Sequence, residues 1–264
     1  MGRKPDWAIA RDRARREAGP DTVWLFGLHA VRDALANPAR RRLRLIATRN
    51  AADRLAAEIA AAGIVPEIAD ARRFPAPLDP QSVHQGAALE VAPLDWGSVS
   101  EVCAPRDGAP HVLVLDRVTD PHNVGAVLRS AEVFGARAVI APARHAAPET
   151  GALAKAASGA LERQPYLRAP NLAAAIGTLK DMGYAVVGLD GAAEATIDGA
   201  LADLADRPLA LALGAEGPGM RALTRTLCDR TARIPAAGGF GSLNVSNAAA
   251  VALYAAVHAR GAGR

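Results

Sequence analysis

The sequence has few aromatic residues and almost no lysine. Only 4 % of its 264 residues are aromatic while 50 % are hydrophobic, so its core must consist mainly of Ala, Leu and Val. Only three of its 31 basic side chains are lysines, a bias that reflects genome composition more than function. The net charge of +4 and the pI near 9.5 permit a polyanionic partner without requiring one.

Cysteines and long apolar runs are also scarce. Cys103 and Cys228 are far apart and form no CxxC pair, so we expect two reduced thiols rather than a disulfide. No apolar run reaches the ~18 residues that cross a bilayer. Residues 1–20 are charged and lack the apolar stretch of a signal peptide. Together these absences predict a cytoplasmic protein with no membrane partner.

Several common site motifs are missing. The sequence contains no GxGxxG fingerprint after its first α/β strand, no GxxxxGK[ST] loop and no GxSxG elbow. Its six histidines and two cysteines show no spacing typical of a metal site, so we expect no metal. Ordinary nucleotide-binding and hydrolase functions are therefore disfavoured.

The distribution of charge and of turn residues predicts several segments. Residues 1–20 form either a basic arm that contacts phosphates or a solvated terminus. Residues 22–94 form a small α/β domain with a helix over Leu28–Ala36, a helix over 51–62 and strands near 43–47, 65–68 and 86–91. The Gly- and Pro-containing segment 95–110 is interpreted as a linker.

Strands and helices alternate after residue 110, which predicts an α/β fold with a mostly parallel sheet and helices on both faces. The predicted strands lie at 112–115, 138–141, 166–168, 185–189, 209–213 and 231–234, and the helices at 124–134, 151–157, 172–182, 221–228 and 245–258. Two glycine-rich loops follow strands of this pattern. They should therefore lie at the carboxyl edge of the sheet, where ligands bind in such folds.

Three separated motifs carry a resemblance to a known family. They are D-x-V-x-D-P-x-N-x-G-A-x-x-R-x-A at 116–131, G-A-E-G-P-G at 214–219 and S-L-N-V-S at 242–246. In this order and spacing they resemble the SpoU (TrmH-like) family of S-adenosylmethionine-dependent RNA ribose 2′-O-methyltransferases. Residues 22–92 are similar, more loosely, to the L30e-like substrate-binding domain of the members that act on a guanosine of 23S rRNA.

The resemblance implies a fold and an assembly that the sequence pattern does not show. The C-terminal segment would thread through a loop behind the sheet as a trefoil knot, and two copies would form a homodimer with active sites at the interface. Knots are rare enough that physical arguments alone would have rejected one.

The resemblance also implies a catalytic set, led by Arg129 and Asn123 in the first motif. Because a guanidinium stays protonated, we expect Arg129 to bind an RNA phosphate and to stabilise developing alkoxide charge; a surface salt bridge is the alternative. Asn123 is suited both to organise the site and to cap the following helix. His122 is a further possible proton acceptor, although the motif does not require histidine there.

The second and third motifs complete this set. Glu216 should orient Arg129 or a loop amide, with a purely structural role as the alternative. Ser242 and Asn244 should position the ribose, with simple capping of the last helix as the alternative. The implied cofactor is S-adenosyl-L-methionine, whose sulfonium donates its methyl group without a metal. The residues expected to hold it are Leu213, Gly214, Glu216, Gly217, Ile234, Ala236 and Leu243.

Basic residues elsewhere are candidates for RNA contacts. They are Arg40, Arg41, Arg42 and Arg44, together with Arg72, Arg73 and Lys155, and for each a solvated surface position is the alternative. The sequence thus predicts methyl transfer to a ribose 2′-hydroxyl of RNA, in particular a guanosine of 23S rRNA. A tRNA ribose methyltransferase and a non-catalytic RNA-binding or ribosome-assembly factor are the alternatives.

Overall fold

The computed structural model describes residues 22–79, 81–105, 110–204, 206–238 and 243–261. For residues 260 and 261 it describes the backbone alone. The predicted arm at 1–20 lies outside these ranges. The chain forms two compact units, which we call the N-terminal and C-terminal units. The N-terminal unit comprises Met1–Leu94 and Pro148–Lys155; the C-terminal unit comprises Asp95–Ala147 and Ala156–Arg264. The boundary after Leu94 coincides with the predicted end of the small domain, whereas the second segment of the N-terminal unit was not predicted.

The N-terminal unit is built on a four-stranded mixed sheet in the order β1-β4-β2-β3. β4 pairs antiparallel with β1 and β2, and β3 pairs parallel with β2. The elements are β1 (Val23–Phe26), α1 (Leu28–Ala36), β2 (Arg42–Ala47), α2 (Arg49–Arg54), α3 (Ala56–Ala62), β3 (Glu67–Ile68), a 3-10 turn (Ala71–Arg73) and β4 (Ala87–Val91).

Helix α1 has the predicted limits, but the helix predicted over 51–62 is interrupted. Leu55 adopts φ −108° and ψ 12°, which separates α2 from α3. Thr48 begins α2 by accepting a hydrogen bond from the Ala51 amide, and Gly63 ends α3 in the left-handed conformation. Leu55 is fully buried in this unit.

The C-terminal unit contains a six-stranded sheet in which every neighbouring pair is parallel, in the order β10-β8-β9-β5-β6-β7. The predicted α/β architecture with a mostly parallel sheet is therefore confirmed. The elements that follow β4 in the chain are α4 (Val99–Val102), β5 (His111–Asp116), α5 (Pro121–Val133), β6 (Val139–Pro142), α6 (Gly151–Ala157), a 3-10 turn (Ala160–Glu162), β7 (Tyr166–Ala169), α7 (Leu172–Asp181), β8 (Ala185–Leu189), α8 (Ile197–Leu201), β9 (Leu209–Gly214), α9 (Ala222–Leu227), β10 (Arg230–Ala232) and α10 (Val245–Gly261).

Both faces of this sheet are covered, because alternate residues of its strands point to opposite sides. Val112 and Val114 pack with Ile176 of α7 on one face. Helix α10 packs against β9 and α5, on the face that α7 does not cover. The central strand β5 is buried along its whole length, as expected for a strand covered on both sides.

Residues 95–105 differ from the predicted linker, because they form α4 and join the core of the C-terminal unit. Ser98 and Glu101 form a capping box at the start of α4. Cys103 is fully buried, and its carbonyl accepts a hydrogen bond of 2.7 Å from the Tyr184 hydroxyl. This segment has apolar residues that a flexible linker does not need, and their burial holds it on the sheet.

The two cysteines are free thiols. Cys103 is buried in the apolar cluster against which Cys228 packs. Among the described helices, none combines the length and apolar character needed to cross a membrane.

Candidate active site

The carboxyl ends of β5 and β9 meet in the middle of the C-terminal sheet, with Asp116 opposite Gly214. From β5 the chain runs to β6 on one side, while β9 lies on the other side. Such a reversal of strand order opens a crevice between the loops that leave the two strands, and ligands of parallel sheets bind there. The first motif follows β5 and the second follows β9, so both lie at this edge.

A cavity of about 660 Å³ opens at the same edge. Its volume falls within the roughly 300–1,000 Å³ typical of small-molecule sites. Its wall is formed by the loops after β8, β9 and β10 and by the start of α10. All seven residues predicted to hold the cofactor line it: Leu213, Gly214, Glu216, Gly217, Ile234, Ala236 and Leu243. The lining combines main-chain groups of glycines with apolar side chains, as expected for an adenosine-containing ligand.

The Glu216 loop is a tight turn that has no room for a side chain at Gly214. A Cβ placed on Gly214 would lie 2.0 Å from the carbonyl carbon of Gly219. Ala215 and Gly219 form an isolated β-bridge, and Gly217 adopts φ 82°. The loop therefore closes on itself and turns its backbone towards the cavity, which explains why glycine is needed at these points.

Glu216 joins the three motifs through one oxygen. Its Oε1 accepts hydrogen bonds from Asn123 Nδ2 at 3.2 Å, from the Val245 amide at 3.2 Å and from Asn244 Nδ2. The Val245 amide belongs to the first turn of α10, where the helix dipole favours a carboxylate. Glu216 thus accepts from one main-chain amide, which belongs to helix α10 and not to a loop, and from two side-chain amides.

Asn244 caps helix α10 and also contacts residues of the other two motifs. Its Oδ1 accepts from the Ser246 amide at 3.0 Å and the Asn247 amide at 3.4 Å, which caps α10. Its Nδ2 donates to Asn123 Oδ1 at 2.9 Å as well as to Glu216. The start of α10 is thereby tied to the start of α5. Ser242, the other candidate in this motif, lies outside the described residues.

Asp120, and not Asn123, caps helix α5. The Asp120 carboxylate accepts a hydrogen bond of 2.9 Å from the His122 amide, and Pro121 occupies the first turn. Asn123 lies inside that turn, so its side chain is available to Glu216 and Asn244. The cap lies three residues earlier than predicted because Asp-Pro is a stronger helix-start signal than the asparagine that follows.

Arg129 lies on the exposed side of α5, since the buried face is formed by Val124, Val127, Leu128 and Ala131. Within the described part of the chain its guanidinium has no hydrogen-bond or ion-pair partner. Glu216 therefore does not hold Arg129 in this structure. The salt-bridge alternative for Arg129 is not seen either, and its charge remains available to a ligand.

Two carboxylates at this edge were not predicted. Asp190, directly after β8, lines the cavity; its Oδ1 accepts from the Ala192 amide at 3.0 Å and its Oδ2 pairs with Arg225 at 2.5 Å. Asp116, at the end of β5, is fully buried and bonds to Arg221. The signal that could have found both is an acidic residue immediately after an apolar parallel strand.

Arg40, predicted to contact RNA, is instead buried, with 1 % of its surface exposed. Its Nη1 pairs with Glu149 at 2.5 Å and donates to the Ala92 carbonyl at 2.9 Å. The Glu149 carboxylate also accepts from the Leu94 amide. Arg40 thus ties Pro148–Lys155 into the N-terminal unit, and its guanidinium is not on the surface where a phosphate would bind.

The other candidates in the N-terminal unit have varied surroundings. Arg42 donates to the carbonyls of Leu35 and Asn37. Arg44 forms two hydrogen bonds with Glu67, at 2.6 and 2.7 Å, which raise the pKa of the arginine and lower that of the glutamate. Arg41 is exposed, as are Arg72 and Arg73, and Lys155 is exposed and donates to the Val83 carbonyl.

Comparison with known proteins identifies the class of protein that this fold and site define. Residues 110–254 match the model of the SpoU rRNA Methylase family, and residues 24–96 match that of RNA 2′-O ribose methyltransferase substrate binding. The chain belongs to the SpoU methylase family. Family membership confirms the predicted enzyme class, an RNA ribose 2′-O-methyltransferase that uses S-adenosylmethionine.

Individual relatives are similar over nearly the whole chain. The 23S rRNA (guanosine-2′-O-)-methyltransferase RlmB of a Burkholderia species is 44 % identical, covering 91 % of this chain and 98 % of that protein. RlmB of Yersinia pestis is 38 % identical, covering 90 % and 97 %. The crystal structure of the SpoU methyltransferase AviRb from Streptomyces viridochromogenes with AdoMet is 25 % identical, with a TM-score of 0.77 and coverage of 100 % and 96 %.

Proposed function

We propose that this chain transfers the methyl group of S-adenosyl-L-methionine to the ribose 2′-oxygen of a guanosine in 23S rRNA. The observation that carries the proposal is the junction of Asn123, Glu216 and Asn244 at the wall of the cavity, with Arg129 on the same helix as Asn123. The 23S rRNA guanosine specificity is supported by the two RlmB relatives. A chain that modifies ribosomal RNA would act in the bacterial cytoplasm.

The residues around the cavity suit the cofactor, which supplies an electrophilic methyl group on a sulfonium when it is bound. Leu213, Ile234 and Leu243 offer apolar contacts, and the loop at Gly214 offers main-chain groups at close range. The carboxylates of Asp190 and Glu216 also line the cavity.

Arg129 and the amide network have complementary roles in this proposal. The Arg129 guanidinium binds a phosphate of the RNA and stabilises the alkoxide charge that develops as the 2′-oxygen attacks. Glu216 fixes the side chains of Asn123 and Asn244, and these contacts set the spacing between the start of α5 and the start of α10. With the cofactor bound, that spacing would help to hold the acceptor oxygen in line with the methyl group, and alignment of this kind is a large part of catalysis for a displacement.

The finer features of fold and assembly are also proposed. Membership of the SpoU family supports a C-terminal trefoil knot and an L30e-like N-terminal unit. A homodimer is supported by an apolar face on α10 and α5, where Val133 is 74 % exposed, Tyr254 59 % and Val257 40 %. Apolar side chains grouped in this way usually mark an interface. We expect Tyr254→Lys to shift the chain from dimer to monomer in light scattering, whereas Val65→Lys, at an exposed valine of the N-terminal unit, should leave the mass unchanged.

The activity is tested by transfer of tritiated methyl from S-adenosylmethionine to RNA made by transcription. We expect incorporation into 23S rRNA, little into tRNA, and none with Arg129→Ala, whose affinity for the cofactor should stay within a few-fold of wild type. Incorporation into tRNA alone would favour the tRNA alternative. Tight RNA binding without incorporation would favour a non-catalytic RNA-binding factor.

A further inference from the structure

Almost every cation in the described part of the C-terminal unit has a partner. Arg163 pairs with Glu132 and Arg230 with Asp203, while others donate to main-chain carbonyls. In that described part, Arg117 and Arg129 are the two arginines with no hydrogen-bond or ion-pair partner, and both are exposed. Unpaired guanidinium groups are what a protein presents to RNA phosphates.

The two arginines lie on consecutive parts of the chain. Arg117 follows Asp116 at the carboxyl end of β5, and Arg129 lies on α5, the next helix of the chain. The first motif, D-x-V-x-D-P, leaves position 117 open, so the family resemblance assigns it no role. The motif therefore does not account for Arg117.

The backbone of Arg117 is in the left-handed region, at φ 63°. Few residues other than glycine adopt this conformation, and an arginine there costs stability relative to glycine. Both neighbours are anchored: Asp116 is bonded to Arg221, and the buried Val118 accepts a hydrogen bond of 3.2 Å from the Ala147 amide. The chain is thus forced through this conformation, and the arginine side chain is presented from a rigid base.

We propose that Arg117 contacts a phosphate of the substrate RNA strand at the carboxyl edge of the sheet. The inference rests on the proposed function, because RNA is the partner. A residue that strains the backbone, has no partner among the described residues and carries charge at the site edge is explained by a ligand of opposite charge. A purely structural residue at this position would be expected to relieve the strain instead.

Arg117→Gly distinguishes a contact with RNA from a purely structural role, since it removes the charge and the strain together. We expect its melting temperature to equal or exceed that of wild type, while its affinity for unmethylated 23S rRNA transcript falls roughly fivefold, as for the loss of about one phosphate contact. The slope of log affinity against log salt should become shallower by about 1. Cofactor affinity by calorimetry should remain unchanged.

Two further variants control for charge and position. Arg117→Lys keeps the charge and should retain the salt slope and most of the affinity. Arg207→Ala removes the same charge beside the amino end of β9, at the opposite edge of the sheet, and should leave the slope unchanged. An Arg117→Gly variant with the affinity and slope of wild type, or with a loss no larger than that of Arg207→Ala, would overturn the proposal.

These outcomes are distinct from those for the proposed function. If the wild-type chain binds 23S rRNA but transfers no methyl group, the enzymatic proposal fails, and the binding comparison still decides the role of Arg117. If the chain methylates 23S rRNA and Arg117→Gly is unaltered, only the inference about Arg117 fails. A wild-type chain that binds no RNA would contradict both.

Discussion

Asp116 and Arg221, 105 positions apart in the sequence, are joined by two hydrogen bonds that fix the loop containing Glu216. The buried carboxylate accepts from the Arg221 amide at 2.9 Å and from its Nε at 2.7 Å. Because Asp116 ends β5 and Arg221 follows the loop that leaves β9, this pair joins the two strands whose loops form the site. We regard Asp116 as a positioning residue.

Arg221→Ala should therefore weaken both the fold and the cofactor site. It leaves one oxygen of the fully buried Asp116 carboxylate without its charged donor, which should cost about 1.5–3 kcal/mol in the free energy of unfolding. The cofactor dissociation constant should rise because the Glu216 loop loosens. Urea denaturation and calorimetry measure the two effects, and wild-type values in both would show that the pair does not hold the loop.

Asn244→Ala should lower kcat strongly and the free energy of unfolding only modestly. Removing the cap of α10 should cost about 1 kcal/mol, while the loss of the bonds to Asn123 and Glu216 should lower kcat at least tenfold. Asn171→Ala is the matched control, because Asn171 caps α7 in the same way without contacting the site network. The control should lose similar stability in thermal unfolding but keep its kcat. Equal loss of activity in the two variants would mean that Asn244 acts only as a cap.

Alanine at two glycines of the Glu216 loop should have effects of different size. Gly214→Ala places a Cβ 2.0 Å from Gly219, so the loop must move and cofactor binding should be abolished. Gly217→Ala meets no atom within 4 Å and suffers only the strain of its positive φ, of about 1–2 kcal/mol. Gly177→Ala, within α7, should be neutral or stabilising. Calorimetry with S-adenosylmethionine ranks the three, and normal binding by Gly214→Ala would contradict the close approach.

The two cysteines should be unreactive in the folded protein. Burial raises the pKa of Cys103 and of Cys228 to about 11, with the Asp229 charge adding to the effect at Cys228. Above pH 9.0 the thiols of the unfolded chain ionise, whereas those of the folded chain stay protonated. The stability that the protonated thiols contribute to the folded chain is therefore complete below pH 9 and is lost as the pH rises towards 11. A thiol reagent should thus react slowly at pH 8 until guanidinium unfolds the chain. Rapid native labelling of two thiols at pH 8 would contradict this prediction.

Local signals in the sequence predicted most elements, whereas the seven residues expected to hold the cofactor came from the family resemblance. Asn37-Pro38 marked the end of α1 correctly, and the seven residues line one cavity. These signals depend on backbone conformation near each residue, so a sequence pattern can contain them. Strand β1 was missed because its four-residue apolar run is too short to show a strand periodicity, although Gly19-Pro20 marks a turn just before it.

Long-range pairings explain what could not be predicted. The pairing of Asp116 with Arg221 and of Arg40 with Glu149 depends on which distant segments meet, and no local pattern reports that. Arg40 belonged to a dense basic cluster, which favoured a surface position until its partner was known. Likewise, Asp190 became a cavity residue only when β8 was placed beside β9.

The central claim is that the methyl group goes to a ribose oxygen of a guanosine, and alkaline hydrolysis of labelled 23S rRNA tests it most directly. Alkali cleaves RNA through attack by the free 2′-hydroxyl, so a methylated ribose protects the bond that follows it. After reaction with tritiated S-adenosylmethionine, the account predicts that the label remains in an alkali-stable dinucleotide that begins with 2′-O-methylguanosine. Label released in single nucleotides would place the methyl group on a base and contradict the account.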